Sequence, residues 1–282
     1  MALSILNNIP SLVAQNQLAI TNQNLQKTLF RLSSGSRINS GADDAAGLAI
    51  ADGLKANTTA LTQSAQNASN GVGALQVADG ALAQVTALLN RAVTLATEAS
   101  TGTVSQAQRG ALNAEFTQIK AEIDRIGSTT TFNGTSVFTA TTTSIFLSDA
   151  SSTSQIGVTV GTVNSASITD GTGSNAVNIS ADTLSDATGT AAQTALGHID
   201  SAIANVASIR GAIGAGINRL QSAVNVINNQ VQNLTSAEDG IRAADIPSEV
   251  ANLSRFTILN QSGISALAQA NSAQQSVLNL LR

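Results

Sequence analysis

Residues 196–234 read LGHIDSAIANVASIRGAIGAGINRLQSAVNVINNQVQNL, and their periodicity decides the fold. Leu196, Ile199, Ile203, Val206, Ile213, Ile217, Leu220, Val224, Ile227, Val231 and Leu234 recur at alternating spacings of three and four, broken only at Arg210. That is the heptad seam of one long helix. At about 1.5 Å per residue it would run roughly 58 Å. Such a seam is stable only when partner helices cover it, so the spacing predicts a mainly α fold, a long-helix coiled-coil rod whose other helices lie elsewhere in the chain.

Working outward, Leu54, Leu61, Ala68, Leu75, Leu82, Leu89 and Ala96 fall at intervals of seven, with Ala65, Val72, Ala78, Val85 and Val93 between them. This predicts a second long seam over about 43–99. Gly71-Val72-Gly73 interrupts it as a packing or kink site, since it lacks the third glycine and preceding strand of a dinucleotide fingerprint. A third helix begins at Ser105, which has capping-box spacing to Gln108. Its apolar stripe is Leu112, Phe116, Ile119, Ile123 and Ile126, with Lys120, Glu122, Asp124 and Arg125 read as a solvated face. Between about 127 and 189 the texture turns to Thr, Ser, Gly, Asn and Val without Lys or Arg. Asn133-Gly134 there signals a hairpin turn, and Ile156, Val158 and Val160 alternate as one side of a strand. This is a small inserted β-region. Gly211, Gly214 and Gly216 in the opening seam either admit another backbone or bend the helix.

Residues 1–26 and 257–281 carry no charged side chain. Both read as amphipathic helices, with Leu18, Leu25, Leu29 and Leu32 on one side of the first and Ile264, Leu267, Leu278 and Leu281 on one side of the last. Charge ordinarily keeps a surface helix solvated, so charge-free terminal helices point to faces that become buried against something. Asp43 and Asp44 follow the turn-rich link Ser33–Gly41 at the place where a helix starts and carboxylates cap well. Thr235–Gly240 reads as a turn, and Ile246-Pro247 with Glu249 as the start of the last helix. His198, the single histidine, reads as a surface or interhelical residue.

Composition excludes several classes. Charged residues are 11% and aromatics 2%, and the net charge of −4 comes with no basic run, which leaves a nucleic-acid surface without support. The chain has no cysteine and therefore no disulfide. No stretch of 18 consecutive apolar residues supports membrane insertion, and the N-terminus lacks the basic and apolar regions of a secretory signal. Neither a P-loop, nor a Ser/His/Asp arrangement, nor metal-ligand spacing occurs, so no catalytic, cofactor or metal residue is assigned and no enzyme is expected.

Three stretches carry a family resemblance. Residues 32–50, LSSGSRINSGADDAAGLAI, resemble the N-terminal signature of bacterial flagellins. Ser254–Gln261 (SRFTILNQ), Ala268–Asn271 and Val277–Arg282 resemble the flagellin C-terminus, and Ile123–Ile126 followed by Phe132-Asn133-Gly134 is a third match. The resemblance implies a structural subunit that polymerises into the flagellar filament for swimming motility. It implies residues 1–33 and 247–282 as a terminal helical filament-core coiled coil, 43–126 and 190–235 as a rod-like bundle, and 127–189 as the outer β-region, without the large outer domains of longer flagellins. It further implies a homopolymer at the cell exterior, and export without a cleaved signal through the flagellar export apparatus with an export chaperone. Filament cap and hook-junction proteins would be further partners. Arg91, Leu95 and Glu115 match positions many flagellins use for subunit contact and for recognition by the host flagellin-sensing Toll-like receptor. Val93 and Thr94 stand where receptor-activating members often carry charge, which implies weak activation. Gln274 stands where many flagellins have Pro. A hook–filament junction protein and a coiled-coil adhesin with a β-rich binding tip are the alternatives.

Overall fold

The computed structural model describes residues 8–149, 154–170 and 175–280. Its elements run α1 (Ile9–Ser34), α2 (Ala45–Ser100), α3 (Gln106–Thr129), β1 (Thr131–Phe132), β2 (Thr135–Ser136), β3 (Thr143–Phe146), β4 (Gln155–Val158), β5 (Val163–Asn164), β6 (Ser167–Ile168), α4 (Thr190–Arg242) and α5 (Ile246–Leu280). The fold is mainly α, with three antiparallel two-stranded ribbons inserted between α3 and α4. The chain forms two compact units, residues 57–232 and residues 1–56 with 233–282.

In the 57–232 unit the seams alternate large aliphatics with alanine and glycine. On α4 the fully covered positions are Ala192, Ala195, Ile199, Ala202, Val206, Ile209, Ile213, Gly216 and Leu220. Leu196, Ile203 and Ile217, expected in the seam, are half-buried flanks. Ala and Gly on the contact line let helices approach closely, and the longer side chains close the groove from both sides. This resolves Arg210. Ile209 holds the seam position, and Arg210 lies beside it with Nε donating to Asp79 Oδ1 of α2 at 2.8 Å. On α2, Leu61, Ala68, Leu75, Leu82, Leu89 and Ala96 are buried as expected, but Ser64 and Ala92 occupy the intervening places expected of Ala65 and Val93. The α3 stripe is covered from Phe116 to Ile126, and its Ser105–Gln108 capping box is complete.

The β-region is fastened to α3 by two residues that sequence reading assigned to a solvated face. Asp124 accepts from the Ser165 amide at 2.6 Å and its hydroxyl at 2.8 Å. Lys120 donates to the carbonyls of Ser180 (2.9 Å) and Asp182 (2.7 Å) and lies 4.8 Å from the Phe116 ring centre, and burial lowers its pKa. Glu122 and Arg125 do form an exposed ion pair. Asn133 and Gly134, both at positive φ, turn the β1–β2 ribbon. β3 pairs with β4 from Thr143–Val158 to Phe146–Gln155, and Ile145 of β3 rests in the dent at Gly71, where a Cβ would meet its Cδ1 at 2.3 Å. At Gly127 the approach is backbone to backbone, since a Cβ would stand 1.7 Å from the Val163 carbonyl oxygen. Gly211 and Gly214 face open space and admit nothing.

Arg109 is the other residue whose role sequence reading missed. It is 2% exposed and donates to four carbonyls: Ala99 (2.8 Å), Thr101 (2.9 Å), Ala187 (2.7 Å) and Asp186 (3.3 Å). The first two belong to the C-terminal end of α2, where a cation complements the dipole and meets carbonyls that lack helical partners. The other two belong to the approach to α4. The Asp186 carboxylate in turn accepts from the Gly189 and Ala191 amides at 3.0 and 3.2 Å.

The expected turn at 235–240 is instead helix, as α4 continues to Arg242. Thr, Ser, Asp and Gly are weak helix formers, but Glu238 here meets Arg242 at 3.7 Å and Lys55 at 3.9 Å. The chain breaks at 243–245, and Asp245 caps α5, its carbonyl accepting from the Glu249 amide at 2.9 Å. Leu281 lies outside the described residues, as do the side chains of Gln274 and Leu278.

Candidate functional site

Within the unit formed by 1–56 and 233–282, α1 and α5 pair antiparallel. Asn8 Nδ2 donates to the Ala270 carbonyl at 3.2 Å, and Ser11 Oγ to Asn271 at 3.0 Å. Asn260 bonds Asn22 midway, and Arg31 meets Glu249 at the other end at 3.3 Å. The α1 positions turned inward, Ser11, Ala14, Leu18, Thr21, Leu25, Thr28 and Leu32, are buried or half-buried and alternate by three and four. Those of α5 are Glu249, Leu253, Phe256, Asn260, Gly263, Leu267 and Ala270. Leu18, Leu25, Leu32 and Leu267 lie half-buried in this seam. Leu29 and Ile264 do not: they are 46% and 54% exposed. Each is one residue past a seam position, Thr28 and Gly263, which rotates it about 100° out of the contact.

The seam of this pair is only partly apolar. Ser11, Thr21, Thr28, Asn260 and Gly263 interrupt its leucines, while Ile9, Leu12, Val13, Ile20, Phe30, Val250, Ile258 and Leu259 face outward, Val13 and Ile258 each 64% exposed. Exposed apolar side chains on this scale mark a surface that binds something.

The residues of the 32–50 stretch tie this pair to the start of α2. Gly35, at φ +69°, ends α1. Its carbonyl accepts from the Ala244 amide at 2.9 Å, and the Arg37 amide donates to the Arg242 carbonyl at 2.7 Å. Ile38 is buried beneath. Asp44 caps α2 by accepting from the Gly47 amide at 2.9 Å. Asp43, expected to share that role, turns the other way, toward Lys27 at 2.7 Å and the amides of Asn39 and Ser40.

The Lys27 ammonium, helped by these amides and the Ser40 hydroxyl, holds the Asp43 carboxyl well below the usual carboxylate range. A depressed folded-state pKa contributes stability above the ordinary value of 3.8, and that contribution is lost as pH falls below it. Asp43→Asn is expected to lower the urea midpoint at pH 7 and to lower it less at pH 3. An equal deficit at both pH values would contradict the assignment.

In the other unit Arg91 and Glu115 form an exposed two-point ion pair at 2.7 and 3.1 Å. Each holds the other in its charged form, raising the Arg91 pKa and lowering that of Glu115. Leu95 does not join them on the surface. It is 1% exposed, a core residue of α2, and its side chain is not available to a partner in the folded subunit. His198 Nδ1 lies 3.0 Å from both Asp182 carboxylate oxygens. Among the described residues no three His, Asp or Glu side chains gather to hold a metal.

Family models for the bacterial flagellin N-terminal helical region and C-terminal helical region match residues 5–143 and 196–281. The chain belongs to the bacterial flagellin family. Among its relatives are a flagellin of Halalkalibacterium halodurans, 36% identical with 98% of each chain covered, and flagellin FlaB2 of Treponema pallidum, 34% identical with 98% of this chain and 99% of that one covered. A flagellin of Listeria monocytogenes is 34% identical over 97% of this chain and 98% of its own. A crystal structure of Bacillus cereus flagellin aligns at 30% identity with TM-score 0.47, covering 61% of this chain and 94% of that one. As a flagellin the chain is a structural subunit of the flagellar filament, an extracellular homopolymer that serves motility. The stretch between the two matched regions, 144–195, contains most of β3 and all of β4, β5 and β6, and this flagellin has no further insertion, consistent with its 282 residues.

Proposed function

We propose that this flagellin polymerises through the outward apolar faces of α1 and α5, with residues 1–33 and 247–282 as the filament-core segments, 43–126 and 190–235 as the helical bundle, and 127–189 as the outer region. The outward apolar side chains of the α1–α5 pair carry the reading. A helix pair that leaves Val13, Ile20 and Ile258 in water gains further from lateral packing. At roughly 1.5–3 kcal/mol for each large side chain covered, a few such contacts between copies contribute several kcal/mol toward association. Val13→Lys combined with Ile258→Lys is expected to leave helical circular dichroism intact while the protein stays at monomer mass in sedimentation. Filaments of normal yield from that variant would refute the proposal.

The same reading extends to export without a cleaved signal through the flagellar export apparatus, assisted by a chaperone that shields these faces, and to cap and hook-junction proteins at the ends of the polymer. It assigns the subunit no catalysis. It also assigns weak activation of the flagellin-sensing receptor, because Arg91 and Glu115 already satisfy one another and Val93 and Thr94 add no charge beside them. A reporter-cell assay is expected to show low potency, and full potency would overturn that assignment.

A further inference from the structure

Residues 180–187, just before α4, form neither helix nor strand, yet they are laid along α3 in order. Lys120 donates to the carbonyls of Ser180 and Asp182 at 2.9 and 2.7 Å. Asn113 accepts from the Leu184 amide at 2.8 Å and from the Thr183 hydroxyl at 3.1 Å. Arg109 donates to the carbonyls of Asp186 and Ala187 at 3.3 and 2.7 Å. Residue numbers rise along this strap as they fall along α3, so the two run antiparallel. Their lengths agree, since α3 rises about 17 Å from Arg109 to Lys120 and an extended chain covers about the same from Asp182 to Ala187.

The helix reads the strap mainly as a peptide backbone. The Ser180, Asp182, Asp186 and Ala187 carbonyls and the Leu184 amide are groups that any ordinary residue carries. Side-chain identity enters at Leu184, which is fully buried while Thr183 beside it is exposed. Main-chain bonds combined with a pocket for a chosen side chain are the means by which folded surfaces bind extended peptides. Away from α3 the strap is held by Asp182, whose carboxylate lies 3.0 Å from His198 Nδ1 of α4. Lifting 180–187 therefore uncovers one leucine and returns polar groups to water, whereas opening a helix uncovers a whole seam. Segments with so little buried apolar surface open locally, at a smaller free energy than the fold as a whole.

We propose that residues 180–187 are a releasable strap over a peptide-binding face of α3. The strap lifts while the helices stay folded, and the uncovered row of Arg109, Asn113 and Lys120 takes an extended, leucine-bearing segment of another polypeptide chain. Because the strap is tethered beside its site, it outcompetes a free segment, and the affinity seen in the unaltered chain is reduced by the fraction of time the strap is open. The strap is thus a built-in inhibitor of that face.

Hydrogen exchange in the unaltered subunit tests the release. The Leu184 amide is expected to exchange roughly tenfold or more faster than the Phe116 and Ile119 amides of α3. Equal rates overturn the proposal, because strap and helix would then open together. A fluorescently labelled peptide of residues 179–188, ISADTLSDAT, tests the binding by anisotropy. Leu184→Asp in the full chain frees the face, and the peptide is expected to bind this variant roughly tenfold or more tightly than the unaltered chain. The peptide carrying Leu184→Asp should bind it roughly fivefold more weakly or worse, and so should the native peptide on a Leu184→Asp chain that also carries Asn113→Ala. No binding to a helical Leu184→Asp chain, or binding indifferent to the peptide leucine and to Asn113, overturns the proposal. Should Leu184→Asp lose helix content, Leu184→Ala replaces it and is judged by the same outcomes.

Discussion

Arg109→Met is expected to destabilise the protein by about 3 kcal/mol or more, read as a lower urea midpoint of the full chain. The side chain is 2% exposed and all its bonds go to neutral carbonyls, two at the end of α2 and two on the approach to α4. Methionine fills the volume but leaves those carbonyls without donors and removes the cation from the negative end of a 56-residue helix. Arg109→Lys separates the two effects. Lysine keeps the charge, but its single ammonium cannot span carbonyls on both sides, so it should recover roughly half of the loss. A Met variant as stable as the parent would show that water satisfies those carbonyls and that Arg109 is dispensable.

Gly127→Ala should be nearly as costly, about 2–3 kcal/mol, through overpacking. Its Cβ would sit 1.7 Å from the Val163 carbonyl oxygen, and because that neighbour is backbone, no rotamer change relieves the clash. The β5–β6 ribbon must lift from α3, taking Ser165 away from Asp124. Hydrogen exchange is therefore expected to accelerate at residues 163–169, with the α3 amides unaffected. Unchanged protection at 163–169 would mean that the ribbon rests on α3 less closely than described.

Much of the helical fold is legible in the sequence, whereas contacts such as those of Arg109 and Gly127 are not. Long seams were legible because heptad spacing is set by helix geometry alone, and Leu75, Leu82 and Leu89 are covered as their spacing required. The exact contact line was not, because spacing weighted by size favours Leu196 and Ile203, whereas close approach favours Ala195 and Ala202. Arg210 stood out as a break only against that shifted line. Arg109, Lys120 and Asp124 carry no sequence signal, since their partners are backbone carbonyls or a serine, most of them 41 to 78 residues away. The charge-free terminal helices were legible as sticky, yet which side was sticky was not. Helical spacing sets Leu29 beside Leu25 and Ile264 beside Leu267, but Thr28 and Gly263 hold the inward positions.

That the outward apolar faces of α1 and α5 are the assembly surface is the central claim, and chemical reactivity at those faces tests it most directly. In a chain without native cysteine, Val13→Cys and Ile258→Cys, prepared singly, should react with a maleimide at the rate of free thiols in the dissociated subunit. After polymerisation the rate is expected to fall by tenfold or more, on the order of the loss that burial of an open position imposes. Filaments in which both positions keep the monomer's rate would contradict the account, because the apolar faces of α1 and α5 would then remain in water after assembly.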